Sequence, residues 1–435
     1  MQILSQLQSG VLKGTVSLKL SEGLSHFPAE IFELADTLEI LDLSGNRLSV
    51  LPADFGRLKK LRILFCSDNL FTVLPDVLAD CPHLDIVGFK ANIIETIPPR
   101  ALNRNIRWLI LTNNRIIDLP KEIGDCHRMQ KLMLAGNKLT DLPQALSKCR
   151  DLSLLRISAN QLAHIPQWLL SMPRLSWLAL SGNKFSPAPS SSAIALIHWH
   201  SLSTYQILGE GASGIIFKGA MHSDDGNKHD VAIKLFKGAV TSDGLPEDEM
   251  NAFIAAGAHP GLVKLVGRVE GHPGDRHGLV MELIPDGYYN LGLPPDFTTC
   301  TRDVFTGCKR LSLQQIIHIA ATVASVAMQL HQKGIMHGDL YAHNILVNDN
   351  GNALLSDFGA ACFYDTSDTA TAPLLQRLEV SAFGYLLDDL ISLCTGPGNP
   401  VLKKMCDIRD AAIAADVVLR PDFGRLYSEL EALNC

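Results

Sequence analysis

A repeat of 22 to 24 residues constrains the fold of the first half of the chain more than any other feature. An asparagine recurs once in each unit, at Asn46, Asn69, Asn92, Asn114, Asn137, Asn160 and Asn183. Each unit reads L-x-L-x-x-N-x-L-x-x-L-P, as it does from Leu41 to Pro52. Leucines two positions apart point to the same side of a short strand. A single unit of this length cannot bury its own apolar face, so the pattern predicts a stack of like units.

This pattern resembles the leucine-rich repeat family, and seven clean units carry the resemblance. It implies an α/β solenoid, which we expect over residues 1–189. Each repeat asparagine can bond the backbone where the chain turns, and successive asparagines can form a ladder. Arrays of this family commonly recognise proteins.

The predicted concave face is more apolar than a solvated sheet requires. The positions expected to be exposed there are Ile40, Ile63, Phe65, Ile86, Trp108, Ile110, Met133, Leu154 and Trp177. One interpretation is shielding by strand-edge side chains or by the second domain. We favour a surface that binds a protein substrate or regulator, anchored by Trp108 and Trp177 with Phe65, Ile110 and Met133.

Four cysteines occupy repeat positions that hold apolar residues in other units. Cys81, Cys126 and Cys149 each follow a repeat proline by six residues, and Cys66 takes a slot filled elsewhere by leucine. We therefore expect small buried hydrophobic side chains rather than disulfides or zinc ligands.

The composition shifts at Ser186–Ser192, which is rich in Pro and Ser. We expect a linker over residues 190–202 and a second domain over residues 203–435. The second domain opens with a glycine-rich segment, Gly209-Glu210-Gly211-Ala212-Ser213-Gly214-Ile215-Ile216. Such glycines let backbone N–H groups approach phosphate oxygens, although a glycine hairpin turn is an equal alternative for this segment alone.

Two later motifs carry chemistry. The segment His337-Gly338-Asp339-Leu340-Tyr341-Ala342-His343-Asn344 is followed, thirteen residues after Asn344, by Asp357-Phe358-Gly359. A carboxylate base, an amide and a second carboxylate in this order are what phosphoryl transfer from a nucleotide needs. Upstream, Val231-Ala232-Ile233-Lys234 reads as a strand that ends in a lysine.

With these motifs, residues 203–435 resemble the eukaryotic-like protein kinase family, a bilobal α+β fold. The resemblance implies that Lys234 contacts the α- and β-phosphates of ATP and pairs with Glu249, with Glu247 as second candidate. It also implies that Asp339 is the base and that Asn344 and Asp357 hold Mg²⁺. The implied nucleotide-binding residues are Gly209, Glu210, Gly211, Ala212, Ser213, Gly214, Ile216, Ala232, Lys234, Glu249, Met281, Glu282 and Leu283.

Three departures from this family leave alternatives open. Gly338 stands where the family usually has the Arg that receives an activation-loop phosphate, and no A-P-E triplet follows Asp357. Tyr341 stands where serine/threonine kinases usually have Lys. The alternatives are a kinase of the aminoglycoside or sugar type and an inert repeat scaffold. The chain is most similar to a leucine-rich repeat protein kinase, with serine/threonine the favoured acceptor.

Charge and hydropathy bear on partners and location. The net charge is −7 and the chain has no basic block, so nucleic acid is not an expected partner. The N-terminal segment lacks a basic and apolar leader, and the apolar run from Ile316 to Met328 is short for a membrane span. We expect a cytoplasmic protein without a membrane span, with export by a non-classical route as the alternative.

Overall fold

The computed structural model describes residues 3–187, 194–211, 213–222, 226–237, 240–396 and 399–433. The chain divides into two compact units. The first comprises Met1–Arg174 with Asn183–Phe185, and the second comprises Leu175–Gly182 with Ser186–Cys435. The expected end of the repeat domain at residue 189 and the start of the expected linker lie outside the described residues.

Short parallel strands, one from each repeat, build the first unit. They are β1 Ser17–Lys19, β2 Ile40–Asp42, β3 Ile63–Phe65, β4 Ile86–Gly88, β5 Trp108–Ile110, β6 Lys131–Met133 and β7 Leu154–Arg156. Each strand pairs in register with the next, as Leu41 does with Leu64. The central residue of each strand, a leucine in all but β4, where it is Val87, is fully buried because it points into the core of the stacked repeats.

Helical turns return the chain between these strands. They are α1 Leu4–Gln8, α2 Gln167–Leu170 and the 3-10 helices Ala29–Leu34, Phe55–Arg57, Asp76–Asp80, Pro99–Ala101, Lys121–Asp125 and Gln144–Lys148. Pro143 illustrates how a repeat proline begins such a turn, since it is the residue before Gln144–Lys148 and has an extended backbone.

The repeat asparagines form the expected ladder. The Nδ2 of Asn114 donates to the carbonyls of Leu111 in its own repeat (3.0 Å) and Phe89 in the preceding one (2.9 Å). Its Oδ1 accepts from the N–H of Ile94 at 2.9 Å. The Asn114 side chain is buried, and both its amide nitrogen and its amide oxygen are hydrogen-bonded. It therefore joins the turns of adjacent repeats outside the strands.

The expectation that all nine concave positions are exposed is wrong for five of them. Ile63, Ile86, Met133, Leu154 and Trp177 are buried. In-register neighbours flank four of these side chains, as Ile63 and Trp108 flank Ile86. Trp177 is covered by two tyrosines of the second unit. Phe65, Trp108 and Ile110 are half-buried, and the ammonium of Lys131 lies 4.1 Å from the ring centre of Trp108.

The prediction for the repeat cysteines is confirmed. Cys66, Cys81, Cys126 and Cys149 are free thiols with no exposed surface. Burial raises the pKa of Cys81 to about 11 and that of Cys149 to about 12, so these thiols remain protonated.

A mixed sheet and one helix build the first part of the second unit. Strand β8 Trp177–Ala179 lies outside this sheet. The strands of the sheet are β9 Leu196–His198, β10 Leu202–Glu210, β11 Gly214–His222, β12 Lys228–Phe236, β13 Leu265–Glu270 and β14 Gly278–Glu282. The sheet order is β10-β11-β12-β14-β13-β9, with β9 parallel to β13 and the other pairs antiparallel. Helix α3, Pro246–Ala256, follows β12 in sequence and carries three acidic residues in its first turn.

The rest of the second unit is mainly helical. Its strands are β15 Tyr289–Asn290, β16 Ile335–Met336, β17 Ile345–Val347, β18 Ala353–Leu355 and β19 Cys362–Phe363. Its helices are α4 Leu313–Gln332, α5 Ala372–Leu393, α6 Pro400–Ala412 and α7 Phe423–Glu431. Short 3-10 turns lie at Trp199–Ser201, Ala342–Asn344 and Val417–Leu419. A sheet of small strands followed by helices agrees with the predicted bilobal α+β fold.

Helix α4 is the central core helix of this part. Ser312 caps its first turn, since the Oγ of Ser312 accepts from the N–H of Gln315 at 3.3 Å. The helix is longer than the apolar run seen in the sequence, and by length and composition it could cross a membrane. Within the structure 56% of its apolar window is buried against the unit, as core helices commonly are.

Candidate active site

A buried ion pair joins the central sheet to α3. The ammonium of Lys234 on β12 bonds Oε1 of Glu249, and both side chains are almost fully buried. Burial alone would lower the pKa of Lys234, but the charges of Glu249 and Asp357 outweigh it and raise that pKa above its ordinary value. Lys234 is therefore a fixed positive charge. Glu247, the second candidate, lies two residues before Glu249 and is exposed.

The glycine-rich segment is the hairpin between β10 and β11. Glu210 pairs with Ile215 across it, and the N–H of Gly211 donates to the carbonyl of Gly214 at 2.9 Å. A Cβ at Gly214 would lie 2.6 Å from the carbonyl oxygen of Leu235, so no side chain fits there. Gly209 and Gly211 have open space around them, which leaves their backbone accessible. Ala212 lies outside the described residues.

An apolar cluster includes Ile216 of the strand that leaves this hairpin. Ala232 and Met281 are buried and face each other in register across β12 and β14. Ile216, Leu283 and Leu354 pack against the same cluster, so both parts of the unit contribute to it. The N–H of Glu282 already donates to the carbonyl of Lys264 at 2.9 Å, so this predicted contact group is occupied.

The loop from His337 to Asn344 orients one carboxylate. The Nδ2 of Asn344 donates to the carbonyl oxygen of Asp339 (2.9 Å) and to its Oδ2 (3.0 Å). Asn344 is buried, whereas Asp339 is partly exposed. The loop thus presents a held carboxylate to solvent, as a base that meets an incoming group requires.

Asp357 follows the end of β18 by two residues. Its φ is +56°, in the left-handed region, and its Oδ1 accepts from the N–H of Gly359 at 3.1 Å. Next to it, Phe358 is buried between the ring of Phe253 on α3 (4.9 Å between centres) and that of His337 (5.1 Å). This ring stack links the helix that carries Glu249 to the loop that carries Asp339.

The segment before α4 supplies an anchor that the sequence did not indicate. Asp303, whose side chain has no exposed surface, accepts from the N–H of His343 at 3.0 Å and bonds its Nδ1 at 2.7 Å. Burial alone would lower the pKa of His343, but Asp303 outweighs it and raises that pKa. Nothing in the local spacing marks Asp303, because its partner lies forty residues further along the chain.

Arg420, between α6 and α7, is fully buried. Its guanidinium donates to the carbonyl oxygens of Ala414 (2.9 Å) and Arg377 (3.1 Å). Burial lowers the pKa of Arg420 to about 10. Its bonds to α5 and to the chain just after α6 indicate a role in the fold, away from the site.

The structure thus brings Lys234, Glu249 and Asp357 together on one side and Asp339 with Asn344 on the other. Among the described residues there is no cluster of three or more His, Cys, Asp or Glu that could hold a metal by itself. A magnesium ion that arrives with a nucleotide needs only one or two protein oxygens. The nitrogen of the Asn344 amide is used on Asp339, which leaves its oxygen as the donor, so Asn344 and Asp357 fit such an ion.

Comparison with known families agrees with both halves of the chain. Residues 202–380 match the family described as protein tyrosine and serine/threonine kinase. Residues 37–58, 104–162 and 127–185 match leucine-rich repeat families.

Individual relatives are similar over less than half of the chain. The angiopoietin-1 receptor of Danio rerio is 31% identical over 38% of this chain and 15% of its own length. Tyrosine-protein kinase Fer of Mus musculus is 29% identical over 49% of this chain and 26% of its own. A probable serine/threonine-protein kinase of Dictyostelium discoideum is 32% identical over 39% of this chain and 10% of its own. The chain therefore spans about a quarter or less of the length of these relatives.

Proposed function

We propose that this chain, in which leucine-rich repeats precede a protein kinase domain, is a cytoplasmic, ATP- and Mg²⁺-dependent protein kinase. The observation that carries the proposal is the simultaneous presence of the Lys234–Glu249 pair and the Asn344–Asp339 bonds. One holds a positive charge for phosphates, and the other aims a carboxylate at an acceptor. Apolar residues at these buried positions would stabilise the fold about as well, so stability alone does not account for the charged and polar groups.

The nucleotide would bind between the two parts of the second unit. The apolar cluster of Ile216, Ala232, Met281 and Leu283 would pack against a flat purine, and the hairpin 209–214 would offer backbone N–H groups to phosphates. Lys234 would contact the phosphates, because Glu249 keeps its ammonium charged and directed. Asn344 and Asp357 would hold Mg²⁺, which when bound offsets the negative charge of the transferred group.

Asp339 would orient the acceptor hydroxyl and take its proton. Asn344 donates to its carboxylate and to its backbone carbonyl, which holds the carboxylate without neutralising it. We propose serine and threonine hydroxyls as the acceptors, with tyrosine as the alternative, because kinases of both kinds are among the similar proteins.

The repeats would bind a protein substrate or regulator through their half-buried apolar residues. Phe65 and Ile110 lie on either side of Gly88, where a Cβ would be 2.5 Å from the Phe65 ring. Because Gly88 has no side chain, the Phe65 ring can lie against its backbone. Phe65, Trp108 and Ile110 would then form an apolar strip. A cytoplasmic site suits the nine described cysteines, all of which are free thiols.

The test is incubation of the whole chain with labelled ATP and Mg²⁺, wild type beside Asp339→Asn. A generic protein substrate and a pool of small hydroxyl metabolites are both supplied. Asp339-dependent label on protein, recovered as phosphoserine or phosphothreonine, supports the proposal. Label on metabolites alone would indicate a small-molecule kinase, and no label a scaffold. Asp286→Asn, an exposed carboxylate, is the matched control.

A further inference from the structure

Trp177 on β8 packs directly on the proposed catalytic loop. Its ring stacks on that of Tyr341, with centres 4.3 Å apart and planes 4° from parallel. Its Nε1 donates to the carbonyl oxygen of Leu340 at 3.2 Å. The ring of Tyr385 on α5 lies 5.5 Å away on the same indole, and Trp177 is 2% exposed. One side chain thus contacts the two residues that follow Asp339.

The neighbours of Trp177 make two more contacts. Ser176 shares a buried hydrogen bond with Ser381 on α5, at 2.8 Å between the hydroxyl oxygens. The carbonyl oxygen of Leu178 lies 2.6 Å from where a Cβ on Gly338 would be, and that of Ala360 lies equally close. Gly338 also has a φ of +75°. A side chain at position 338 is therefore excluded twice, by space and by backbone conformation.

These contacts flank Asp339 on both sides. Gly338 before it meets Leu178, and Leu340 and Tyr341 after it meet Trp177. The two sequence departures at this loop, Gly338 and Tyr341, thus coincide with the segment that covers it. A loop held in this way has no requirement for a phosphate bound by an arginine at position 338.

We propose that the segment Leu175–Gly182 is a permanent clamp on the catalytic loop and that Trp177 is a positioning residue for Asp339. The clamp keeps the carboxylate aimed without activation-loop phosphorylation. This inference rests on the proposed phosphoryl transfer for its kinetic consequence but not for the ordering of the loop. Trp177 contacts Leu340 and Tyr341, the two residues after Asp339, so its effect on the carboxylate passes through them.

The kinetic test compares wild type with Trp177→Ala and Trp177→Phe in the whole chain. Trp177→Ala should lower kcat between roughly tenfold and a hundredfold, because a small displacement of the base is costly. The KM for ATP should stay within about twofold, since the Lys234 side of the site is untouched. Trp177→Phe keeps a ring on Tyr341 and should recover most of the rate. Trp168→Ala, a half-buried tryptophan on α2, is the matched control.

A second readout does not depend on activity. Hydrogen exchange of the amides in residues 338–344 should accelerate in Trp177→Ala and remain at the wild-type rate in Trp168→Ala. Unchanged exchange and unchanged kcat in Trp177→Ala would overturn the proposal. A higher kcat would also overturn it, because the segment would then block the site. If wild type transfers no phosphate but exchange accelerates, the clamp stands and the proposed function fails.

Discussion

The backbone N–H of Gly338 donates to Oε1 of Glu379 at 2.7 Å, so a fully buried carboxylate of α5 holds the residue that precedes Asp339. The other oxygen of Glu379 bonds Nε2 of His331 on α4 at 2.7 Å. Glu379 therefore joins the two core helices to the catalytic loop, and its charge is what makes both bonds strong.

Replacement of Glu379 by Gln should destabilise the protein in a pH-dependent way. Burial alone would raise the pKa of Glu379, but His331, His337 and the Gly338 N–H hold it below the ordinary value. Such a carboxyl adds stability above its unfolded pKa of about 4.3, and that stability is lost as pH falls through the lower folded value. Glu379→Gln should cost about 2 kcal/mol or more at pH 7.

Thermal melting from pH 7 to pH 3 measures this effect. The gap between wild type and Glu379→Gln should narrow below about pH 4, where the wild-type carboxyl takes up its proton. Glu33→Gln, at an exposed position of the first unit, should follow the wild-type curve. A gap that is constant with pH would mean that the charge of Glu379 is not what stabilises the loop.

Replacement of Glu249 by Gln should lower phosphate transfer while the fold is kept. Without this carboxylate the ammonium of Lys234 loses its nearest anchor and is left buried. We expect kcat/KM for ATP to fall between roughly tenfold and a hundredfold. Glu247→Gln, two residues earlier and exposed, is the control and should remain near wild type. Equal losses in both variants would point to a general effect on α3.

Replacement of Asp303 by Asn should loosen the catalytic loop from its other end. The amide cannot serve both the N–H and the Nδ1 of His343 as the carboxylate does. We expect kcat to fall roughly tenfold and the melting temperature to fall by several degrees. Asp286→Asn, in the same segment but exposed, is compared in the same assays and should change neither value.

Removal of the hydroxyls after Asp357 should leave basal activity intact. Thr366, Ser367 and Thr369 are exposed and Thr371 is partly exposed, whereas the hydroxyl of Tyr364 is buried and donates to the carbonyl of His331 at 3.1 Å. The variant should therefore carry alanine at the first four positions and Phe at Tyr364, so that the core stays filled. Initial rates within about twofold of wild type are expected. A collapse of the rate would mean that a phosphate in this loop is required.

The repeat solenoid was predictable because its information is periodic. A strand leucine, a turn asparagine and a proline recur at one spacing, and Asn114 bonds only its own and adjacent repeats. The motifs around Lys234 and Asp339 were predictable for a similar reason, since each lies within one short segment.

What the sequence did not indicate depends on long-range contacts. Trp177 bonds a carbonyl 163 positions away, and its repeat position predicts exposure. Asp303 lies in a segment without a recognisable pattern. Neither contact leaves a periodic or local trace, so only the folded chain reveals them.

Gly338 has a consequence for how this chain could change over generations. Two carbonyl oxygens, those of Leu178 and Ala360, stand 2.6 Å from its missing Cβ. An arginine at that position would need both backbones to move at once, because neither oxygen belongs to a flexible side chain. Substitution of Gly338 by Arg alone would therefore not give this protein control by loop phosphorylation. Such control would also need changes in the segments of Leu178 and Ala360.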